Sequence, residues 1–328
     1  MNPGDKTLIL THSDCDGICA GAIALARFPD ARLFFTKPVS FLRDLEDTTA
    51  NTKIKRLIIC DIALTKKDAA GLVEKLSVIG RKTNILYFDH HSIPATTSLD
   101  AVNESVSTYA HDPSASASEI TYRHFQKSLP RERVWLAIYG AIGDYTDNTE
   151  FVEERMRNWD RRALYFEVST LILGIKDERF SVYSAKRRIA STMAKGGNPS
   201  DVRGLTVSAR STVTREFRLY SQVKRRAKSF GNIGYIKDLP RFGFRGPSAL
   251  FAATVTGRPI GLSMHTIRDK IDVTARRRVQ NPNIRLNKIM EQAAESVGGS
   301  GGGHPRAAGA RIPKDSLMKF LEAVDKMV

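Results

Sequence analysis

Cysteine is scarce, with three in 328 residues, at positions 15, 19 and 60. An odd count without paired spacing excludes a disulfide framework and fits a reducing compartment. Cys15 and Cys19 read as small buried hydrophobes beside strand ends rather than as a soft-metal pair. Long apolar runs are missing too. The first apolar run, over 7–10, is far shorter than a signal-peptide core or a membrane span, so a cytoplasmic protein with no membrane partner is expected. Acidic residues are outnumbered, 35 against 51 Lys and Arg, giving a formal net charge of +16. An excess of that size points to a polyanionic partner, nucleic acid before an acidic membrane surface. Hydrophobic residues make up 41%, enough for packed cores, and the composition excludes disordered, collagen-like and coiled-coil classes.

What is present is an alternation. Short apolar runs over 7–11, 31–35, 56–60 and 84–88 read as buried strands. Helical patterns over 17–28, 41–47 and 66–76 separate them. Repeated strand–helix–strand units of this length imply a parallel sheet with helices on both faces. Further helices are expected over 116–126, 132–142, 150–175 and 183–194, with a break at Gly196, Gly197, Asn198 and Pro199. A basic helical segment over 214–228 follows, whose arginines and lysines either track a nucleic-acid backbone or form a solvated face. Strand-like runs then return over 233–236, 251–255, 260–265 and 271–275, before a helix over 284–296, a glycine-rich loop over 298–303 and an amphipathic helix over 315–327. The expected class is α/β: an N-terminal parallel-sheet domain over 1–195, a basic helical linker over 196–228 and a smaller C-terminal α/β domain over 229–328. No internal repeat is visible.

Polar residues follow the buried runs at several places. His12, Asp14 and Asp16 follow the first run, with Gly17 permitting a tight turn into the helix. Asp61 follows the third run, Asp89, His90 and His91 the fourth, and Asp144 a buried helix. In an open parallel sheet the carboxyl ends of the strands converge on one crevice, so these groups should meet. Each alone reads as a cap or turn residue. Together they form an oxygen- and nitrogen-rich ligand set without thiolates, suited to Mn2+ or Mg2+ rather than structural zinc. Its size suits two ions sharing a carboxylate better than one.

This pattern resembles the DHH phosphoesterase superfamily. His12 to Gly17 matches its first motif, Asp61 its second, Asp89, His90 and His91 its naming triplet, and Gly140 to Asp144 its fourth. The resemblance implies that His12, Asp14 and Asp61 hold one metal ion. Asp16, Asp61, His90 and Asp144 hold the other, with Asp147 an alternative to Asp144. It further implies that His91 faces the scissile phosphate and that Asp89 orients the site.

Near the other end stand Gly301, Gly302, Gly303, His304, Pro305 and Arg306, which read as a loop whose backbone N–H groups cradle an anion, or as a flexible linker. The segment resembles the C-terminal substrate-binding motif of the DHH branch that includes RecJ-type exonucleases, nanoRNases and cyclic-dinucleotide phosphodiesterases. Arg276 matches the arginine that touches substrate there. The implied activity is metal-dependent hydrolysis of single-stranded DNA or RNA, or short oligonucleotides, to mononucleotides, with Mn2+ preferred. The alternatives are a cyclic-dinucleotide or 3′-phosphonucleotide phosphoesterase, and a weakly catalytic replication or repair scaffold. The extra glycines and Ser300 lengthen the motif. The chain also lacks room for the added nucleic-acid-binding fold of long RecJ proteins, which favours short substrates or grip from the linker or a replication or repair partner.

Overall fold

The computed structural model describes residues 6–50, 53–239, 244–278 and 281–328. The described residues divide into two units, Met1–Thr212 and Val213–Val328. The division falls inside the basic helix.

In the first unit the strands are β1 (Thr7–Thr11), β2 (Arg32–Phe35), β3 (Arg56–Cys60), β4 (Asn84–Asp89) and β5 (Thr108–His111). They form one sheet in the order β2-β1-β3-β4-β5, every neighbouring pair parallel. Its central strands are apolar at nearly every position because both faces are covered. Alternation decides which side chain meets which layer. Leu8, Leu10, Leu57, Ile59 and Tyr87 pack with α2 (Phe41–Thr49), α3 (Ala69–Gly80) and α4 (Leu99–Glu104). Ile9, Ile58 and Phe88 pack against the opposite layer. That layer comprises α1 (Cys15–Arg27), α5 (Ala117–Phe125), α6 (Val134–Gly143), α7 (Glu150–Met156), α8 (Arg161–Gly174), α9 (Glu178–Ser181) and α10 (Tyr183–Ala194). Helix α11 (Leu205–Arg226) follows. Strand order reverses between β1 and β3, and at such a switch point the loops diverge and open a crevice at the carboxyl edge.

The second unit holds β6 (Lys228–Phe230), β7 (Ile233–Lys237), α12 (Arg245–Thr256), β8 (Ile260–Ile267), β9 (Lys270–Arg277), α13 (Leu286–Glu295), β10 (Ser300–His304), β11 (Ala307–Pro313) and α14 (Leu317–Asp325). Its sheet runs β10-β11-β9-β8-β7-β6 and is antiparallel except where β7 pairs β8. The α/β class and the two sheets agree with the sequence.

Several local readings need correction. The run 251–255 is not a strand but part of α12. Ala249, Ala252 and Ala253 give it a buried helical stripe, and Gly257, in the left-handed region at φ 69°, ends it. The single helix expected over 150–175 is two, because Asp160 accepts the Arg162 N–H and starts α8 afresh. The glycine run is not a loop: Ser300–His304 is strand β10, paired residue by residue with β11. A Cβ on Gly301 would collide with the backbone of Met290 in α13, so that glycine lets a helix lie against the strand. Strand β5 escaped the sequence reading, since its four residues, Thr108 to His111, are only half-buried at the sheet margin.

Helix α6 approaches α1 and α5 closely at Gly140. A Cβ there would overlap the Ser118 hydroxyl and crowd the Asp16 carboxylate. Gly140→Ala should therefore cost about 1–3 kcal/mol in urea unfolding. An unchanged midpoint would show that the helices can part without penalty.

Candidate metal centre

The hydrogen-bond ladder of the first sheet does not stop at the strand ends. Beyond the pairs Thr11–Cys60 and Cys60–Phe88, the His12 N–H donates to the Cys60 carbonyl at 3.3 Å and the Asp61 N–H to the Phe88 carbonyl at 3.0 Å. These last rungs place His12, Asp61 and His90 side by side at the switch point. Asp61 is buried, 2% exposed, and adopts φ 57°, a left-handed conformation uncommon for a residue with a Cβ. The Tyr87 hydroxyl donates to the carbonyl of Ile62 and holds the chain just after it. Strain of this kind persists only where surrounding contacts fix it, and it concentrates at functional sites.

The two oxygens of Asp61 face different partners. Oδ2 lies 3.7 Å from His12 Nδ1, and Oδ1 lies 3.4 Å from His90 Nε2. His12 Nδ1 is also 2.9 Å from Asp14 Oδ2, and His90 Nδ1 is 3.5 Å from Asp144 Oδ2. His12, Asp14 and Asp61 thus form one group with ligand atoms within 4.8 Å of one another, and Asp61, His90 and His91 form another. Asp61 belongs to both. Asp61 Oδ2 and Asp144 Oδ2 are buried without a hydrogen-bond partner. Unsatisfied buried carboxylate oxygens are costly, and a bound cation satisfies them. The donor set therefore fits hard divalent ions, with oxygen and imidazole and no thiolate among the clustered groups.

Local structure sets each of the other groups. Asp14 does two tasks, capping α1 by accepting the Gly17 N–H at 3.0 Å while its second oxygen faces His12. Gly17 is required there, because a Cβ would strike the backbone of His12. Asp16 is turned toward α5, accepting N–H bonds from Ala117 at 2.7 Å and Ser118 at 2.9 Å at the start of that helix. This uses two of about four acceptor positions on the carboxylate. His91 Nδ1 donates to buried Asp89 at 2.8 Å, which fixes its tautomer and leaves Nε2 free to face a ligand. His91 also stands in the second potential ligand group, a placement the sequence reading did not give it.

Two contributors were not foreseen. His111 of β5 donates from Nε2 to the His91 carbonyl at 2.7 Å and stacks on Tyr109. Lys186 of α10 is buried and donates from Nζ to the Ser13 carbonyl at 2.6 Å, between His12 and Asp14. No local pattern marks Lys186, since the contact joins positions 173 apart.

In the second unit, the expected substrate residues gather at one end of the sheet. His304 pairs with Ala307 and Ala307 with Arg276 across three adjacent strands. The Arg306 N–H donates to His304 Nδ1 at 3.3 Å. Gly302 and Gly303 hold φ of 152° and 135°, backbone that favours glycine. Gly301 serves the packing of α13 described above.

In the cluster the acids hold the imidazoles charged, while Asp16 is pushed toward its neutral form. Burial pulls His12 down, but Asp14 and then Asp61 outweigh it and raise its pKa to about 11. Burial likewise opposes His90 and His91, yet Asp61 lifts the first to about 10 and Asp89 the second to about 9. Burial and then the charge of Asp61 push Asp16 up to about 8. All three imidazoles are therefore cationic in the metal-free protein at neutral pH, and a cation held by His12 and His90 must displace their protons. Metal affinity should rise with pH across the neutral range and on toward about 10, where His90 loses its proton unaided, with proton release measurable by calorimetry in buffers of different ionisation enthalpy. An affinity independent of pH would mean that these histidines are not ligands. Lys186→Met should cost about 1–3 kcal/mol of stability by stripping the Ser13 carbonyl of its donor, read by urea unfolding.

Residues 6–142 match the DHH family N-terminal domain, and residues 252–328 match the DHHA1 domain. No curated protein matches the chain. Among solved structures, it resembles the DHH domain of a protein assigned to a family of ribosomal proteins, at 17% identity and TM-score 0.70, covering 98% of this chain and 86% of that one. It also resembles the pGpG-specific phosphodiesterase PggH from Vibrio, at 17% identity and TM-score 0.59, covering 98% and 99%. RecJ from Thermus thermophilus, solved with Mn2+, is similar at 15% identity and TM-score 0.64, and the match takes in 98% of this chain but 52% of RecJ. At such identities the likeness is one of fold. The two domain matches, in this order along the sequence, place the chain in the DHH phosphoesterase superfamily, in the branch that carries a DHHA1 domain.

Proposed function

We propose that this protein is a two-metal phosphodiesterase that cleaves single-stranded nucleic acid or short oligonucleotides to mononucleotides, with Mn2+ as the preferred ion and Mg2+ as the substitute. The observation that carries the reading is the buried Asp61 carboxylate, one oxygen facing His12 and the other facing His90. His12, Asp14 and Asp61 would hold one ion, and Asp61, His90, Asp144 and Asp16 the other. When bound, such ions supply an activated water and neutralise phosphate charge.

The chain's own residues supply the rest. Asp89 keeps His91 protonated, so that its Nε2–H can donate to a phosphoryl oxygen as charge develops on it. Arg276, His304 and Arg306, with the backbone of Gly302 and Gly303, would bind the terminal nucleotide. The net charge of +16 supports a polyanionic substrate over a small neutral one. The near end-to-end match with a pGpG-specific phosphodiesterase supports short substrates.

The test is digestion of end-labelled RNA and DNA strands of graded length with Mn2+. His91→Ala should lose roughly 100- to 1,000-fold in kcat with metal affinity little changed. Asp89→Asn should lose roughly 10- to 100-fold. Asp61→Asn should abolish both metal binding and cleavage. Cleavage that survives a chelator, or that Asp61→Asn leaves intact, would sink the two-metal reading. Turnover confined to dinucleotides would narrow the substrate without changing the chemistry.

A further inference from the structure

The other edge of the first sheet carries a second feature. At the amino ends of β1, β3 and β4, beside the last turns of α2 and α3, lies a cavity of about 680 Å3. Five lysines line it, Lys6, Lys53, Lys55, Lys75 and Lys82, and among the described residues no acidic one does. Lys75 pairs with Glu46 at 3.5 Å, an exposed contact worth little. The frame beneath is fixed. The Lys55 N–H donates to the Lys6 carbonyl at 3.0 Å, the Asn84 N–H to the Lys55 carbonyl at 2.9 Å, and the Thr83 hydroxyl to the Ile54 carbonyl at 3.2 Å.

Charge bookkeeping favours an anion. The two helix C-termini each present roughly half a negative charge. Taken with Glu46, they still leave an excess of about three positive charges around one concavity. Solvated lysines on a convex surface spread apart, whereas these share a wall with Ile54 and Ile79. Beside them Val78 is 53% exposed, an apolar surface that the fold itself leaves uncovered. Cationic and apolar walls in one cavity match a ligand with a phosphate end and a flat organic body, and the volume lies within the range of small-molecule clefts.

We propose that this cavity is a nucleotide-phosphate site, separate from the carboxylate edge, with the phosphate among Lys6, Lys55 and Lys82 and the base or sugar against Val78 and Ile79. Lysine serves as a mobile point-charge donor to phosphate. The occupant is a free nucleotide or the terminal nucleotide of a strand, and both offer the same chemistry. The site does not depend on the phosphodiesterase reading.

The experiment uses the full chain held metal-free by a chelator, so that turnover plays no part. A fluorescent ADP analogue and a short fluorescein-labelled DNA strand are titrated by anisotropy at low salt. Lys55→Glu combined with Lys82→Glu is compared with Lys314→Glu combined with Lys319→Glu, which makes the same charge change at exposed positions of the second unit. The cavity pair should weaken at least one probe by roughly tenfold or more, with the control pair changing it little. Loss of ADP binding assigns a free nucleotide, and loss of strand binding alone assigns a strand end. Equal losses in both variants mean general electrostatics and overturn the proposal, as does no loss for either probe. Circular dichroism checks the fold, and the paired alanine substitutions replace the glutamates if the reversal unfolds the chain.

Discussion

Asp61 is the constraint on which the first unit turns. A carboxylate at the end of a central strand, buried among other acids, is costly unless opposite charge surrounds it. Here the answer is local: His12 meets one oxygen, His90 the other, and neither approach satisfies the carboxylate fully. The left-handed backbone at Asp61 turns the side chain to that position, and the final rungs of the parallel ladder lock the residues on either side. The regular part of the fold therefore supplies the rigidity and a single irregular residue sets the geometry of the cluster. A site built on strand ends is better positioned than one built on a free loop.

The same logic runs outward. Asp14 and Asp16 each satisfy a helix N-terminus, of α1 and α5, before they serve anything else. Negative groups are favoured at helix N-termini. The two acids are thus kept in place by the secondary structure that follows them, at little cost to the fold. Asp89 does the corresponding task for His91, and Lys186 reaches across from α10 to hold the peptide between His12 and Asp14. Removing one partner of such a network leaves another buried charge exposed to the full desolvation cost, so the groups are energetically coupled and single substitutions will not add.

How much of this was legible in the sequence depended on the range of the cause. The four apolar runs of the first sheet read correctly because burial on both faces writes itself into consecutive residues, and polar residues after them fall at the carboxyl edge by topology alone. The run 251–255 failed because a short apolar stretch does not distinguish a strand from a helix, and the alanine stripe and Gly257 that decide it lie partly outside that window. The loop reading of the glycine run failed for a subtler reason. Glycines permit both an open loop and a strand crowded by a helix, and the packing of Met290 on Gly301 shows the strand. Lys186 and the α5 amides were invisible, since contacts between distant positions leave no periodic trace. The turn of Asp16 toward α5 was hidden for the same cause.

On the proposed function, the charge distribution would link the site to its substrate. A chain with net charge +16 attracts a polyanion from a distance, yet the crevice itself concentrates carboxylates at one sheet edge. A phosphate approaching those carboxylates would meet like charge, which the cationic His12, His90 and His91 offset in part. On the two-metal proposal, cations at the edge would reconcile long-range attraction with short-range repulsion. Metal and substrate then become linked ligands: whatever factor the metal adds to substrate affinity, bound substrate must return to metal affinity. On the proposed function, the acidic edge of a basic protein would let a strand be attracted at long range and engaged only where the cations sit.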